Sequence, residues 1–80
     1  MKAYVYLLIS FKDQETYLGS TNDLGRRISE HNSGKCKSTK QRGPLKLIYS
    51  EEYDNIEDAR VREKYLKTKN GRKELSNIFN

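Results

Sequence analysis

Two charged side chains and one imidazole stand where the hydrophobic patterning calls for apolar groups. In the stretch DLGRRISEHN, Arg27 and His31 are four residues apart. At ~100° per residue they fall beside Leu24 and Ile28, the apolar stripe of a short helix. Further on, Ile56, Ala59 and Leu66 define the inward stripe of a second helix, and the position that completes its spacing is Glu63. A carboxylate on an inward face costs several kcal/mol unless it is paired or binds a metal. A guanidinium forks onto two phosphate oxygens as an ammonium cannot. One carboxylate, one guanidinium and one imidazole directed toward a common sheet suit phosphate-ester chemistry better than they suit packing. Each group also has a plainer reading. Glu63 could pair with Arg27 or sit at a wet rim, Arg27 could pair with Glu30 along the helix surface, and His31 could be a hydrogen-bonded structural histidine.

Tyrosines add to the set. Tyr4 and Tyr6 share one face of the first strand, while Val5, Leu7 and Ile9 share the other. A four-residue connection, Lys12 to Glu15, places Phe11 opposite Thr16 and puts Tyr17 on the Tyr6 face; a slip of one residue would reverse it. The carboxylates bunched in SEEYD (Glu51, Glu52, Asp54) are expected to be solvated. Cys36 lies in a basic loop with no helix N-terminus near it, which gives no support for a thiolate nucleophile. No glycine-rich loop of the NTP-binding type is present.

The elements that must position these residues follow from period and punctuation. Residues 3–10, AYVYLLIS, read as a strand, and TYLGS as a second strand paired to it as a hairpin. A helix begins at Asn22 or Asp23 as N-cap and ends near Gly34. A basic loop, KCKSTKQRGP, leads to a third strand, LKLIYSEEY. Asp54 with Glu57 resembles a capping box for a second helix, which runs to about Lys69, where NG stops it. A last short helix carries Leu75, Ile78 and Phe79 at a spacing suited to docking on the body. The order is β-β-α-β-α-α, an α/β chain of the α+β type, with a three-stranded antiparallel sheet flanked by helices.

Bulk properties bound the function. Eighty residues allow one small domain, residues 1–80. Sixteen Lys and Arg against eleven Asp and Glu give a net charge of +5, which favours a polyanionic partner, and nucleic acid is the commonest. No apolar run approaches the ~18 residues of a membrane span, so no membrane partner is expected. The single cysteine permits no internal disulfide and no thiolate zinc cluster, and a cytoplasmic location is the expectation.

YVY at 4–6, YLG at 17–19, DLGRRISEH at 23–31 and REKYL at 62–66, in this order and spacing, resemble the GIY-YIG endonuclease superfamily. The likeness is to its small stand-alone bacterial members, which look like the nuclease domain of the excision-repair UvrC protein. It spans roughly residues 3–70, and RGPLKLIYSEEY is also typical of the stand-alone group. The resemblance implies divalent-metal-dependent cleavage of nucleic-acid phosphodiesters, with DNA as the expected substrate and Mg²⁺ or Mn²⁺ as cofactor. Tyr6 and Tyr17 match the tyrosines of the two tripeptides, Arg27 the motif arginine, His31 a histidine common in the stand-alone group, and Glu63 the metal-binding glutamate. One departure is that Tyr4 stands where the first tripeptide has glycine. Mg²⁺ keeps most of its waters and takes one or two protein carboxylates, so Glu63 alone could hold it. A tyrosine, ordinarily near pKa ~10, acts as a base at neutral pH only beside cations or as a relay. Lys35, Lys37, Lys40 and Arg42 are the expected nucleic-acid contacts outside the site. Two alternatives stand beside the nuclease: a non-catalytic basic binding module, and a nuclease subunit whose specificity a partner protein supplies. Oligomeric state, monomer or higher, is left open.

Overall fold

The computed structural model describes residues 1–33 and 44–79. Strand β1 (Ala3–Ser10) is central, with β2 (Thr16–Thr21) and β3 (Leu45–Tyr53) antiparallel on its two sides, in the order β2-β1-β3. Helix α1 (Leu24–Asn32) lies between β2 and β3 in the chain; α2 (Ile56–Leu66) and α3 (Lys69–Phe79) follow β3. The α+β architecture and the β-β-α-β-α-α order read from the sequence are those of the structure. No helix among the described residues is long and apolar enough to cross a membrane.

Strand β1 is apolar on both sides because both of its faces are covered. Ala3 and Val5 join Ala59 and Leu66 in a core under α2 and α3, with Leu18, Tyr53, Ile56 and Leu75 packed around them. Tyr6, Leu8 and Leu45 form the core under α1, with Tyr17, Leu24, Ile28 and Leu47. Adjacent residues of one strand therefore serve opposite layers, as a period of two requires.

Three local expectations are corrected. Thr16 pairs with Ile9 rather than Phe11, and the turn closes through the Ser10 N–H on the Glu15 carbonyl (2.9 Å), with Gln14 at a φ of 63°. The shift is two residues, so parity is kept and Tyr17, opposite Leu8, shares the Tyr6 face. The α2 N-cap is Asn55, whose Oδ1 accepts the Asp58 N–H at 2.8 Å; Asp54 instead bonds Lys2. Finally, Asn70-Gly71 does not stop a helix but lies in the first turn of α3. The break falls at Lys67-Thr68, where the Thr68 hydroxyl donates to the Tyr65 carbonyl and accepts the Gly71 N–H. Gly71 is buried, and a Cβ there would strike the backbone of Tyr65 and Leu66, so glycine serves a close helix–helix approach rather than a terminus. Leu75 packs on the body as expected, but Ile78 is exposed.

Helix α1 starts at Asp23, whose Oδ1 accepts the Arg26 N–H at 3.1 Å. Its far end is tied to β3 by Asn32, whose amide donates to the Leu45 carbonyl (3.2 Å) and accepts the Leu45 N–H (2.7 Å). Between β1 and β3 the register slips by one at Leu7/Leu8, so Leu7 faces Tyr49 while Leu8 faces Leu47. The bulge turns Tyr49, Glu51 and Tyr53 onto the same face as Ala3, Val5 and Leu7, beneath α2 and α3.

Candidate active site

The tyrosine at the centre of the site is seated by its strand partner. Tyr6 lies opposite Gly19, and a Cβ at Gly19 would stand 2.6 Å from the Tyr6 Cζ, so only glycine leaves room for the phenol. The ring is 3% exposed, and its hydroxyl is held from α1 on two sides. Arg27 Nε donates to it at 3.3 Å, and His31 Nε2 stands 3.1 Å from it, the two rings meeting edge to face. Burial, reinforced by the Arg27 guanidinium, lowers the His31 pKa below the ordinary 6.5, with Glu30 opposing in part. The imidazole is therefore neutral at pH 7. With the ring proton on Nδ1, Nε2 accepts the Tyr6 O–H; with it on Nε2, the imidazole donates to the phenol instead.

Glu63 arrives from the other face. It sits on the α2 stripe with Ala59 and Leu66, as its spacing predicts, and reaches the free edge of β2. Ser20 donates to its Oε1 at 2.5 Å and Lys67 to its Oε2 at 2.7 Å. Partial burial pushes the carboxyl up, but the hydrogen bonds from Lys67 and Ser20 outweigh it and hold the pKa below the ordinary value. Glu63 is thus an ionised carboxylate, its side chain 20% exposed. The Glu63–Arg27 pair weighed above is not formed. Arg27 does bond Glu30 (3.3 Å), yet it also reaches Tyr6, so it is more than a helix-surface pair.

Tyr6, Tyr17, Arg27, His31 and Glu63 all line one cavity of about 350 Å³. Two layers on opposite sides of the sheet contribute to it, and they meet because β2 is an edge strand that both α1 and α2 can overhang. Sequence reasoning missed Ser20 and Lys67, the partners of Glu63. Lys67 could have been found at i+4 from Glu63; Ser20 depends on a contact across 43 residues. Lys35, Lys37, Lys40 and Arg42, like Gly34 and Cys36, lie outside the described residues.

Among the described residues no three His, Cys, Asp or Glu side chains gather to form a metal cage. One ionised carboxylate facing a polar cavity instead suits a hard, largely hydrated ion such as Mg²⁺, which needs one or two protein oxygens. Glu63 fits that part.

Glu51, expected to be solvated, is not. Its side chain is 16% exposed and receives Arg62 Nε at 2.9 Å, Arg62 Nη2 at 3.2 Å, Tyr49 at 2.5 Å and Tyr53 at 2.7 Å. Arg62 also pairs with Glu74 of α3. This second cluster occupies the β3 side of the α2–α3 layer, away from the cavity.

The chain matches the family model described as the GIY-YIG catalytic domain over residues 2–76. It is 48% identical over 65 residues to the UPF0213 protein CPE1444 of Clostridium perfringens, which covers 80% of this chain and 69% of that one. It is 41% identical over 80 residues to the UPF0213 protein YsiG of Lactococcus lactis, covering 99% and 77%. Among solved structures, the solution NMR structure of the UPF0213 protein BH0048 from Bacillus halodurans superposes with a TM-score of 0.58 at 36% identity, covering 98% of this chain and 85% of that one.

Proposed function

Because this chain belongs to the GIY-YIG family, a family of nuclease-type domains, we propose that it is a metal-dependent endonuclease that hydrolyses DNA phosphodiester bonds. The observation that supports this reading is the convergence of Tyr6, Tyr17, Arg27, His31 and Glu63 on one cavity from both faces of the sheet.

In this reading a water placed against the Tyr6 hydroxyl attacks phosphorus. Tyr6 takes the water's proton as its own passes to His31 Nε2, which a neutral imidazole 3.1 Å away can accept. Arg27, whose Nε holds the phenol oxygen, carries positive charge to the phosphate oxygens as negative charge builds there. Tyr17, on the same face and the same cavity, orients the attacking water. Glu63 would hold Mg²⁺ or Mn²⁺, which would supply Lewis-acid charge to offset the negative charge that develops as the bond from phosphorus to the 3′ oxygen breaks. Lys67 and Ser20 keep the Glu63 carboxylate ionised and aimed.

The test is an Mg²⁺-dependent cleavage screen over duplex, single-stranded, flapped and branched DNA, repeated with RNA. Cleavage of any DNA form that chelation abolishes is the expected result. No cleavage of any form, with nucleic-acid binding retained, would make the chain a binding module.

A further inference from the structure

The site cavity is the middle of three that follow one another along the free edge of β2. On the Thr21 side it shares Ser20 and Arg27 with a cavity of about 260 Å³ whose walls also carry Arg26 and Arg60. On the Thr16 side it shares Thr16 and Leu18 with a groove of about 580 Å³ between β2 and the α2–α3 junction. That groove has an aliphatic floor, including Leu66 and Leu75, and a rim carrying Lys67 and Arg72. A shallower cavity continues from it past Lys69 and Lys73.

We infer that a nucleic-acid strand runs lengthwise along the β2 edge, its reacting phosphate in the middle cavity and its neighbours on either side held by Arg26 with Arg60 and by Arg72 with Lys73. The inference rests on the nuclease reading above and adds the path of the strand.

Three features carry it. The first is continuity, since each cavity shares residues with the next and the six residues of β2, at ~3.3 Å each, span about 20 Å. That is room for the phosphates on both sides of the central one. The second is charge. The first cavity sets three guanidinium groups against the Glu30 carboxylate, and the groove sets Lys67 and Arg72 against Glu15. An arginine-rich wall with one carboxylate favours a polyanion, and guanidinium groups fork onto phosphate oxygens. The third is asymmetry. The arginine cavity is mostly polar, with Ile56 its one aliphatic wall residue, and suits the backbone, whereas the aliphatic floor of the groove also accepts the apolar faces of sugar and base.

The test is the salt dependence of DNA binding, measured in Ca²⁺ with a short duplex and with one of its strands alone. Three variants are compared with the wild type: Arg26→Gln/Arg60→Gln, Arg72→Gln/Lys73→Gln, and Lys2→Gln, which removes a cation that pairs with Glu52 of β3 and with Asp54, on the flank of the sheet opposite β2. All five positions are exposed, so the folds are checked simply by thermal melting. Each phosphate contact contributes ~0.9 to the slope of log K against log salt on duplex and ~0.7 on a single strand. Both edge pairs should flatten the slope by about 1.8 on duplex or 1.4 on the single strand, whichever form binds, and Lys2→Gln should leave it unchanged. A small, equal effect of all three variants would mean a diffuse field and overturn the path. An effect confined to one edge pair would overturn it as well. A wild type that binds neither form would overturn the nuclease reading itself, and the path with it.

Discussion

The domain builds two clusters from the same three residue types. Each has a tyrosine, an arginine and a glutamate, and the two differ in how the charges pair: Arg62 grips Glu51, whereas Arg27 pairs with Glu30 and Glu63 with Lys67, leaving Arg27 and Glu63 apart. At the β3 side, Arg62 grips Glu51 through Nε and Nη2, Tyr49 and Tyr53 donate to the same carboxylate, and Glu74 closes the set. Burial alone would push Glu51 up, but the hydrogen bonds from Arg62 and the two tyrosines hold it at about 2. Burial and the Glu51 carboxylate push Tyr49 and Tyr53 up to about 12. At the β2 edge, Arg27 and Glu63 do not touch; a cavity stands between them. The difference teaches that residue type does not mark a reactive site. Saturation marks a clamp, and opposite charges held apart around a cavity mark a place for a third party. Successive residues of α2, Arg62 and Glu63, serve one cluster each.

The sharpest way to break the comparison is a pair of isosteric changes. Glu63→Gln should abolish cleavage while DNA affinity in Ca²⁺ and the thermal midpoint stay near wild type, because Gln can still accept from Ser20 and the half-exposed i,i+4 pair with Lys67 is worth only ~0.3–0.5 kcal/mol. Wild-type turnover in that variant would return Glu63 to a structural role. Arg27→Lys keeps the charge but loses the fork, and turnover should fall by ~10²-fold with less effect on binding. Equal losses in both would reduce Arg27 to an anchor. Glu51→Gln should do the reverse of Glu63→Gln. Breaking a buried pair costs ~3–5 kcal/mol, and since Arg62 keeps Glu74 we expect ~3, a midpoint lowered by about 12–24 °C with turnover of the folded fraction unchanged.

Acid separates the clusters more finely. His31 has a folded pKa below 6.5, so as pH falls through 6.5 the unfolded chain takes up the proton first and stability drops slightly. Once the folded imidazole is protonated, Nε2 no longer accepts from Tyr6, and activity should fall. Glu51 is depressed to about 2 from 4.5, so its stabilisation is complete above 4.5 and is lost as pH falls from there toward 2. Activity should therefore decline on the acid side before cooperative unfolding begins, as pH–rate profiles and circular dichroism would record. Coincident loss of the two would mean that His31 acts only through the fold. The smallest expected effect concerns the basic loop. Neutralising Lys37 and Lys40 together should flatten the salt slope of duplex binding by about two units without changing preference among duplex sequences. An unchanged slope would remove that loop from the interface.

Much of this was legible from spacing alone. Leu24 with Ile28, and Ala59 with Leu66, announced two helices and their inward faces, and Arg27, His31 and Glu63 were conspicuous because they broke those stripes. The Glu51 cluster was not legible, although Tyr49, Glu51 and Tyr53 alternate on one face. Seeing that this face is covered requires the β1–β3 register, bulge included, and a pairing between segments some forty residues apart is not written in either one. Asn70-Gly71 misled for a related reason: a tertiary contact with Tyr65 and Leu66, not a chain reversal, demanded the glycine.

The seat of Tyr6 over Gly19 has a consequence for the order in which the site comes apart. That contact closes within one hairpin, whereas the hold of Ser20 on Glu63 bridges 43 residues and exists only while α2 is docked. Partial opening of the domain would lift α2 and α3 from the sheet before the hairpin separates, since short-range contacts have the smaller loop entropy to overcome. Such an opening leaves the phenol seated on its glycine and carries the carboxylate away with its helix. Amide exchange of β1 and β2 should then outlast that of α2, and the carboxylate side of the site would be the first part lost to heat.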